Sequence, residues 1–287
     1  MQAPFYGLAS AQTGPSRPKW AVIEIDGEEA GFFQILESRA LGRLLHAVIL
    51  DRGPLWYAEY GSHQHFEAFL QAFRREFPAR PGRTVRFIPE IEASPEIEVL
   101  LKKHKFRKKS EDYQTIVLDL TQSEDHLRAA LKKKWRGSLQ KAEKAGITVE
   151  WHEDTQHLDW LLKSYALDKK TKGYDGPSVQ LIKALANCAA PDGDLLIGRA
   201  RHEGRAIAAI LLFCHGRSAT YQIGWNTQEG RRYGAHNLLL WQAMLHLKAK
   251  NITAFDLGGV NESEAKTVKT FKEGMGGRLI TLAGLYT

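Results

Sequence analysis

Residues 193–225, GDLLIGRARHEGRAIAAILLFCHGRSATYQIGW, decide the fold class. Three apolar runs lie within this segment, and the joints between them are His-Glu-Gly at 202–204 and His-Gly at 215–216. Short joints that contain glycine between such runs are typical of β-hairpins. The segment therefore predicts three consecutive strands connected as hairpins.

Helices and further strands are predicted on both sides of these hairpins, from apolar periodicity and capping residues. A polar loop, 226–236, is predicted to follow them. The predicted helices cover 62–77, 94–104, 121–145, 155–168, 178–188, 237–249 and 264–274. The predicted strands cover 41–51, 84–90, 113–120, 147–152, 193–201, 205–214, 217–225, 252–257 and 278–286. This mixture indicates an α+β protein.

The helix over 121–145 has the clearest pattern. Thr121 and Glu124 have the spacing of a capping box, and Gly146 stands where a helix would end. Its apolar residues recur every three or four positions, at Leu127, Leu131, Trp135, Leu139 and Ala142. We expect this stripe to face the core and the basic residues around it to project outward.

Composition excludes several classes of protein. With 287 residues, 43% of them hydrophobic, the chain is too apolar to be mainly disordered. The longest apolar run, Ala206–Cys214, is far shorter than the ~20 residues of a membrane span. The N-terminus lacks the pattern of a secretory signal, and two cysteines make no disulfide framework, so a cytoplasmic location is expected.

Basic residues are concentrated in the middle of the chain. The net charge is only +7, but 102–109 reads KKHKFRKK and a second group surrounds 128–144. A third group is Lys169, Lys170 and Lys172. One such cluster is commonly a solvated helix face, whereas three clusters favour a positive surface for phosphates. We place the domain boundary after the first cluster, which gives domains 1–112 and 113–287.

Motifs of several site classes are absent from the sequence. There is no C-x-x-C or H-E-x-x-H spacing, so no metal site is predicted. Neither G-x-S-x-G nor a phosphate-binding G-x-x-x-x-G-K-[ST] loop occurs. No bound cofactor is predicted either.

The order of elements over 193–286 resembles the acyltransferase fold of the GNAT superfamily. That superfamily holds the pyrophosphate of coenzyme A on an R/Q-x-x-G-x-G/A loop before a helix. Here the best match is RRYGAH at 231–236, whose last residue is His236. A bulky side chain at that position would crowd a pyrophosphate, which disfavours acyl-CoA as the donor.

Six segments also resemble the Fem family of non-ribosomal peptidyl transferases. The strongest match is TFKEGMGG at 270–277. The others are RGPLWY (52–57), KKWRGSLQKAEKAGITVE (133–150), YQIGWN (221–226), LLLWQAM (238–244) and FDLGGVNE (255–262). This resemblance implies two GNAT-like domains, each a mixed central sheet flanked by helices.

The same resemblance implies an activity. Family members move an amino acid from aminoacyl-tRNA to an amine, in many cases that of a peptidoglycan precursor peptide. The implied partners are therefore aminoacyl-tRNA and an amine acceptor, with peripheral membrane contact where that acceptor is lipid-linked. Two rival functions stay open: an N-acyltransferase that uses acyl-CoA, and a non-catalytic RNA- or phosphate-binding protein on a transferase fold.

Aminoacyl transfer needs no nucleophilic side chain, because the acceptor amine attacks an activated ester directly. The protein must orient the partners, handle a proton and stabilise charge on oxygen. The resemblance assigns the charge-stabilising role to Lys272, with Phe271 beside it. Asp256, at a strand end before two glycines, is a second catalytic candidate that could orient the amine or accept its proton.

Further residues are candidates for substrate binding. Asn261 shares the loop of Asp256, Tyr221 lies on the third hairpin strand, and a neutral His236 at a helix start could accept a proton. Arg136 could bind phosphate or pair with an acid. Lys172 and Tyr174 could take the place of the basic and aromatic pair that family members use for precursor phosphates. Candidates for tRNA binding are Lys132, Lys133 and Lys134.

Overall fold

The computed structural model describes residues 1–41, 44–260 and 266–287. Two compact units divide the chain: Met1–Tyr113 with Thr281–Thr287, and Gln114–Ile280. The last seven residues therefore group with the first unit, whereas the predicted ranges 1–112 and 113–287 put them in the second. Mixed sheets flanked by helices, as predicted, make up the fold.

The first unit is built on a five-stranded sheet. Its elements are α1 (Pro4–Thr13), β1 (Arg17–Ile25), β2 (Glu28–Ala40), β3 (Leu45–Gly53), β4 (Leu55–Trp56), α2 (His63–Glu76), β5 (Arg83–Pro89) and α3 (Pro95–Lys103). The strand order is β1-β2-β3-β5, and β4 pairs with β2. Strands β3 and β5 are parallel, and the other pairs are antiparallel.

An aromatic cluster forms the core of the first unit. The ring of Phe87 on β5 is fully buried, and its centroid lies 5.1 Å from that of Phe106. Phe66 and Phe73 of α2 stack on it at 6.3 and 6.0 Å. Helix α2 presents these rings because the phenylalanines recur at helical spacing, and Ser62 caps its first turn.

The second unit contains the segment quoted first. Its elements are β6 (Tyr113–Asp119), α4 (Glu124–Ala130), α5 (Lys133–Glu143), β7 (Thr148–His152), α6 (Leu158–Lys172), α7 (Val179–Ala189), β8 (Leu195–His202), β9 (Arg205–His215), β10 (Ser218–Asn226), α8 (Gln228–Tyr233), α9 (Ala235–Ala249), β11 (Ala254–Gly259), α10 (Lys266–Glu273) and β12 (Arg278–Leu282). The three predicted hairpin strands are confirmed as β8, β9 and β10, which pair antiparallel.

These strands belong to a seven-stranded sheet of order β12-β6-β11-β10-β9-β8-β7. The pair β10–β11 is parallel, while β11 runs antiparallel to β6. Helix α9 packs on β8, β9 and β10, and its buried side chains include Leu239, Leu240 and Met244. This helix is apolar on most of its faces, as expected of a buried core helix.

The predicted single helix 121–145 is wrong as one element. The chain is extended at Leu131 and Lys132, so α4 ends and α5 begins there. The N–H of Lys132 donates to the carbonyl of Gly274 at 2.9 Å, a partner 142 residues away. The whole predicted stripe is nevertheless buried, because its spacing holds on both sides of the break.

Other local predictions also differ from the structure, among them the strand 278–286, since β12 ends at Leu282. Ser123, and not Thr121, caps α4, while the Thr121 hydroxyl donates to Asp119. The predicted loop 226–236 contains helix α8, and the predicted strand 41–51 is displaced, since β3 is Leu45–Gly53. The first 40 residues form α1, β1 and β2, none of which the sequence pattern predicted.

The aromatic core of the first unit generates a stability prediction. We expect Phe87→Ala to lower the free energy of unfolding by about 3–5 kcal/mol, because it removes a large buried ring and leaves a cavity. Urea denaturation of wild type and variant measures this loss. Tyr57→Ala is the matched control: Tyr57 is 44% exposed, so a loss of about 1 kcal/mol or less is expected. Equal losses would contradict the assignment of this core.

Candidate active site

Strands β10 and β11 pair over only three positions, from Ser218–Ala254 to Thr220–Asp256. Beyond that point β10 continues to Asn226 and β11 to Gly259, and β10 has an irregularity between Tyr221 and Ile223. The parallel ladder therefore ends inside the sheet. Backbone groups past its end must find other partners, which makes this a natural place for side chains and ligands.

The backbone turns at Gly258 directly after the ladder ends. Gly258 has a φ of +73°, a conformation that favours glycine. Its N–H donates to Asp256 Oδ1 at 2.8 Å, and the hydroxyl of buried Thr115 on β6 donates to the same oxygen. Asp256 thus fixes the shape of this turn through the Gly258 amide.

Lys272 lies in the last turn of α10 and is only 8% exposed. Its ammonium donates to the carbonyls of Gly258 and Gly259 at 3.2 and 2.9 Å. It also lies 5.7 Å from the centre of the Tyr221 ring, within range of a cation–π contact. A buried ammonium costs several kcal/mol unless such groups replace its water. The end of the strand ladder supplies those groups.

Tyr221 and His236 form a hydrogen-bonded pair beside this lysine. The Tyr221 hydroxyl and His236 Nε2 are 3.0 Å apart. Burial lowers the pKa of His236 to about 4, and the charge of Lys172 contributes. Burial also raises the pKa of Tyr221 above its usual range. These shifts favour the uncharged form of both rings at pH 7.

A side chain at position 224 would collide with this pair. A Cβ on Gly224 would lie 2.0 Å from the Tyr221 hydroxyl and 2.6 Å from the His236 ring, so glycine is required there. The Phe271 ring meets His236 edge-on at 5.9 Å and lies 6.0 Å from the Trp135 ring. Phe271 therefore packs between Trp135 of helix α5 and His236 of the neutral pair.

Lys172 is the last residue of α6, Tyr174 follows two residues later, and the two share one carboxylate. Lys172 pairs with Asp168 at 2.7 Å, and the Tyr174 hydroxyl donates to the same group at 3.4 Å. The charge of Lys172 acts on His236, and Tyr174 contributes to the raised pKa of Tyr221, so both lie within electrostatic range of the neutral pair. The predicted residues that the structure groups together are Lys272, Asp256, Phe271, Tyr221, His236, Lys172 and Tyr174.

The remaining predicted residues lie outside this group or outside the described residues. Lys132 forms an ion pair with Glu273 at 3.5 Å, one residue beyond Lys272. Lys133 and Lys134 are exposed on the first turn of α5, and Arg136 is partly buried. In the described ranges Arg136 forms no ion pair, so the predicted pairing with an acid is not seen there. Asn261 lies outside the described residues.

Three residues of the site were not predicted. Thr115 and Gly224 carry no sequence signal, because their importance comes from contacts 141 and 12 residues away along the chain. Asp168 does carry a signal: it stands four residues before Lys172, the spacing of a helical ion pair. Across residues 1–41, 44–260 and 266–287, no group of three metal-binding side chains occurs. Within the same ranges, no helix has the length and apolarity to cross a membrane.

Most of this site lies in a segment that matches a known protein family. The family described as Acetyltransferase (GNAT) domain matches residues 106–272, and the chain belongs to that family. Its membership supports acyltransferase chemistry. A comparison with curated protein sequences gave no match.

Solved structures extend the likeness over the whole chain. FemX is 16% identical, with a TM-score of 0.82 over 99% of this chain and 90% of that one. L-PGS from Bacillus licheniformis has a TM-score of 0.54 and 13% identity, over 98% of this chain and 86% of its own. A tandem GNAT protein from the clavulanic acid biosynthesis pathway has a TM-score of 0.53 and 10% identity, also over 98% of this chain and 86% of its own. The predicted resemblance to the Fem family is thus confirmed at the level of the fold.

The left-handed turn at Gly258 generates one prediction. We expect Gly258→Ala to destabilise the protein by about 1–2 kcal/mol, because a Cβ is strained at this φ. Gly137→Ala is the matched control: Gly137 is exposed within helix α5 with open space around it, so about 0.5–1 kcal/mol of stabilisation is expected. Urea denaturation measures the change in the free energy of unfolding for each variant. An unchanged value for Gly258→Ala would contradict the proposed strain at this φ.

The neutral His236 generates a second prediction. Its pKa of about 4 in the folded protein lies below the unfolded value of 6.5, so the unfolded chain binds more protons between these values. Its contribution to stability is therefore complete above pH 6.5 and is lost as the pH falls towards 4, by about 3 kcal/mol at most.

The measurement compares unfolding free energies at pH 7 and pH 4.5 for wild type and His236→Gln. The variant should lose less stability than wild type over this interval. His126→Gln, which changes an exposed histidine on α4, should behave like wild type. Identical pH dependence in all three proteins would show that His236 is not held neutral by burial.

Proposed function

We propose that this protein is an aminoacyltransferase that moves an amino acid from aminoacyl-tRNA to an amine of a peptidoglycan precursor peptide or a related acceptor. The observation that carries the proposal is the buried ammonium of Lys272, held by two carbonyls where the strands β10 and β11 part. It lies in the Phe-Lys segment by which the sequence resembles the Fem family. The FemX-like fold supports the same class of reaction.

The proposed reaction is the aminolysis of an ester. The acceptor nitrogen attacks the carbonyl carbon of the aminoacyl ester, the new C–N bond forms and the bond to the ribose oxygen breaks. The proton lost by the amine ends on that ribose oxygen. Negative charge develops on oxygen during the transfer, and the Lys272 ammonium is the group proposed to stabilise it in a site with little water.

The neighbouring residues receive roles that follow from their contacts. Asp256 is a positioning residue, since it shapes the Gly258 turn whose carbonyl holds Lys272. The neutral pair Tyr221 and His236 offers uncharged hydrogen-bonding groups to the amine and a route for its proton. Phe271 is proposed to pack beside the reacting end, and Asn261, outside the described residues, is proposed to bind substrate.

The basic residues are proposed to bind the phosphate groups of the two substrates. Lys172 with Tyr174, and Arg136, are proposed to bind phosphates of the acceptor. Exposed Lys133 and Lys134, with Lys132, are proposed to contact the acceptor stem of tRNA. A cytoplasmic location, where charged tRNA is made, belongs to the same proposal, as does peripheral contact with a lipid-linked acceptor.

The start of helix α9 favours tRNA over acyl-CoA as the donor. In the GNAT fold this helix start holds the pyrophosphate of coenzyme A. Here a Cβ on Gly234 would lie 2.6 Å from the carbonyl of Ser138, so helix α5 closes on the loop. Ala235 is fully buried, and the His236 ring is engaged by Tyr221. Little room is left for a pyrophosphate against this backbone.

A transfer assay tests the role of Lys272. We expect Lys272→Met to lower kcat by about two to three orders of magnitude, the usual effect of removing one charge-stabilising group. The substrates are radiolabelled mixed aminoacyl-tRNA and stem-peptide precursors, and the product is read by mass. Lys266→Met, an exposed position on the same helix, is the matched control and should keep wild-type activity. Full activity of Lys272→Met would refute the mechanism.

Titration with acetyl-CoA separates the rival donor. Micromolar binding of acetyl-CoA without binding of charged tRNA would overturn the proposal in favour of an acyl-CoA enzyme. Binding of tRNA without transfer to any amine would favour a non-catalytic RNA-binding protein. Comparison of stem peptides from cells with and without the protein identifies the product, since each transfer adds the mass of one amino-acid residue.

A further inference from the structure

A basic groove of about 710 Å³ lies on the first unit, and none of the residues assigned above lines it. Five cationic side chains line it: Arg74, Arg83, Lys102, Lys105 and Arg107. In the part of the chain that the structure describes, no Asp or Glu side chain lines it. Five positive charges around one concavity repel each other, and an anionic occupant would relieve that repulsion.

The run KKHKFRKK at 102–109 divides its charges between two surroundings. Lys103 pairs with Glu67 at 2.6 Å and Lys108 with Asp112 at 2.7 Å, and neither lines the groove. Lys102, Lys105 and Arg107 do line it, and among the described residues they form no ion pair. The three cations of this run that line the groove therefore have no acidic partner among the described residues, and Lys109, outside the lining, has none either.

The two remaining arginines are oriented but not neutralised. Arg74 donates from Nε to the His104 carbonyl at 3.0 Å and from one terminal nitrogen to the Lys105 carbonyl at 2.8 Å. Its guanidinium also stacks over the Phe106 ring at 3.6 Å. Carbonyl and ring contacts fix the geometry of this group and leave its full charge available to the groove.

Arg83 is held in the same manner. It donates to the Pro78 carbonyl at 2.8 Å and to His46 Nδ1 at 3.1 Å. Burial lowers the pKa of Arg83, and the nearby cations Arg80 and Arg39 lower it further, whereas Glu37 and Glu76 act in the opposite direction. One terminal nitrogen of Arg74 and one of Arg83 have no partner in the described ranges. Fixed guanidinium N–H groups of this kind suit phosphate oxygens.

We propose that this groove binds the phosphodiester backbone of RNA, and that it gives the tRNA donor a contact separate from its reactive end. The tRNA part of this inference rests on the proposed function. Several cations along one groove match a chain of phosphates better than a single anion. The concave shape favours a strand of nucleic acid over a flat anionic membrane, which would meet protruding residues first.

Binding of unfractionated tRNA to the full chain tests the groove. Fluorescence anisotropy gives the Kd at several salt concentrations for wild type and for Lys102→Gln/Lys105→Gln/Arg107→Gln. The matched control is Lys103→Gln/Lys108→Gln/Lys109→Gln, which removes the same charge from the same run outside the groove lining. Sedimentation with phosphatidylglycerol vesicles is measured in parallel.

The triple variant of the groove, Lys102→Gln/Lys105→Gln/Arg107→Gln, should bind tRNA at least about tenfold more weakly near 0.1 M salt. The slope of log K against log salt concentration should fall by about 2–3 in magnitude, since each lost phosphate contact reduces it by about 0.9. The control triple should stay within about twofold of wild type. If the triple variant of the groove has a lowered Tm, the double variant Lys102→Gln/Arg107→Gln, at two exposed positions, replaces it. Its expected change in the salt slope is about 1.8.

Equal losses in both triples, or no tRNA binding by wild type, would overturn the inference. So would a groove triple that loses vesicle binding and keeps tRNA binding, since the occupant would then be a membrane. The two proposals fail separately. A groove-specific loss of RNA binding in a protein that transfers no amino acid would sink only the proposed function, whereas active transfer with unchanged tRNA binding would sink only the groove.

Discussion

The ammonium of Lys272 must be solvated by protein, and the site is organised around that requirement. A continuous parallel ladder between β10 and β11 would engage the backbone on both strands. The ladder stops after Thr220–Asp256, so the carbonyls of Gly258 and Gly259 can turn to the lysine. Asp256 and Thr115 hold the turn that presents them. The cost of burying one charge is thus met by a local interruption of the sheet.

The second property of the site is that the rings of His236 and Tyr221 carry no charge. Burial keeps His236 and Tyr221 uncharged beside a fixed ammonium, so Lys272 is not repelled by a protonated imidazole. Gly224 leaves the space in which the two rings meet. Among the described residues grouped at this site, the cationic side chains are Lys272 and Lys172, and Lys172 is paired with Asp168. Such an arrangement suits a reaction in which negative charge develops on one oxygen.

Charge is handled differently on the first unit. Buried Glu37 there accepts from Lys19, Arg39 and His46, which holds the pKa of its carboxyl group at about 2, although its burial acts in the opposite direction. In that cluster all three basic groups have the Glu37 carboxylate as an acidic partner. The basic groove has no such acidic partner, because Arg74 and Arg83 are held by carbonyls and His46. Its other cations form no ion pair in the described ranges. Net charge alone, at +7, does not reveal this difference.

The sequence by itself determined the hairpins of the second unit and the aromatic face of α2, and it singled out Lys272 as a catalytic candidate. Strand runs, helical spacing and a short motif are local properties. It missed α1 and β1 because β1 is mostly exposed and α1 buries only three residues, so neither has a strong apolar period. Tertiary structure alone decided the break at Leu131, the pairing of Tyr221 with His236 and the grouping of groove cations. Each depends on partners distant in the chain or on burial, and side-chain periodicity contains no information about either.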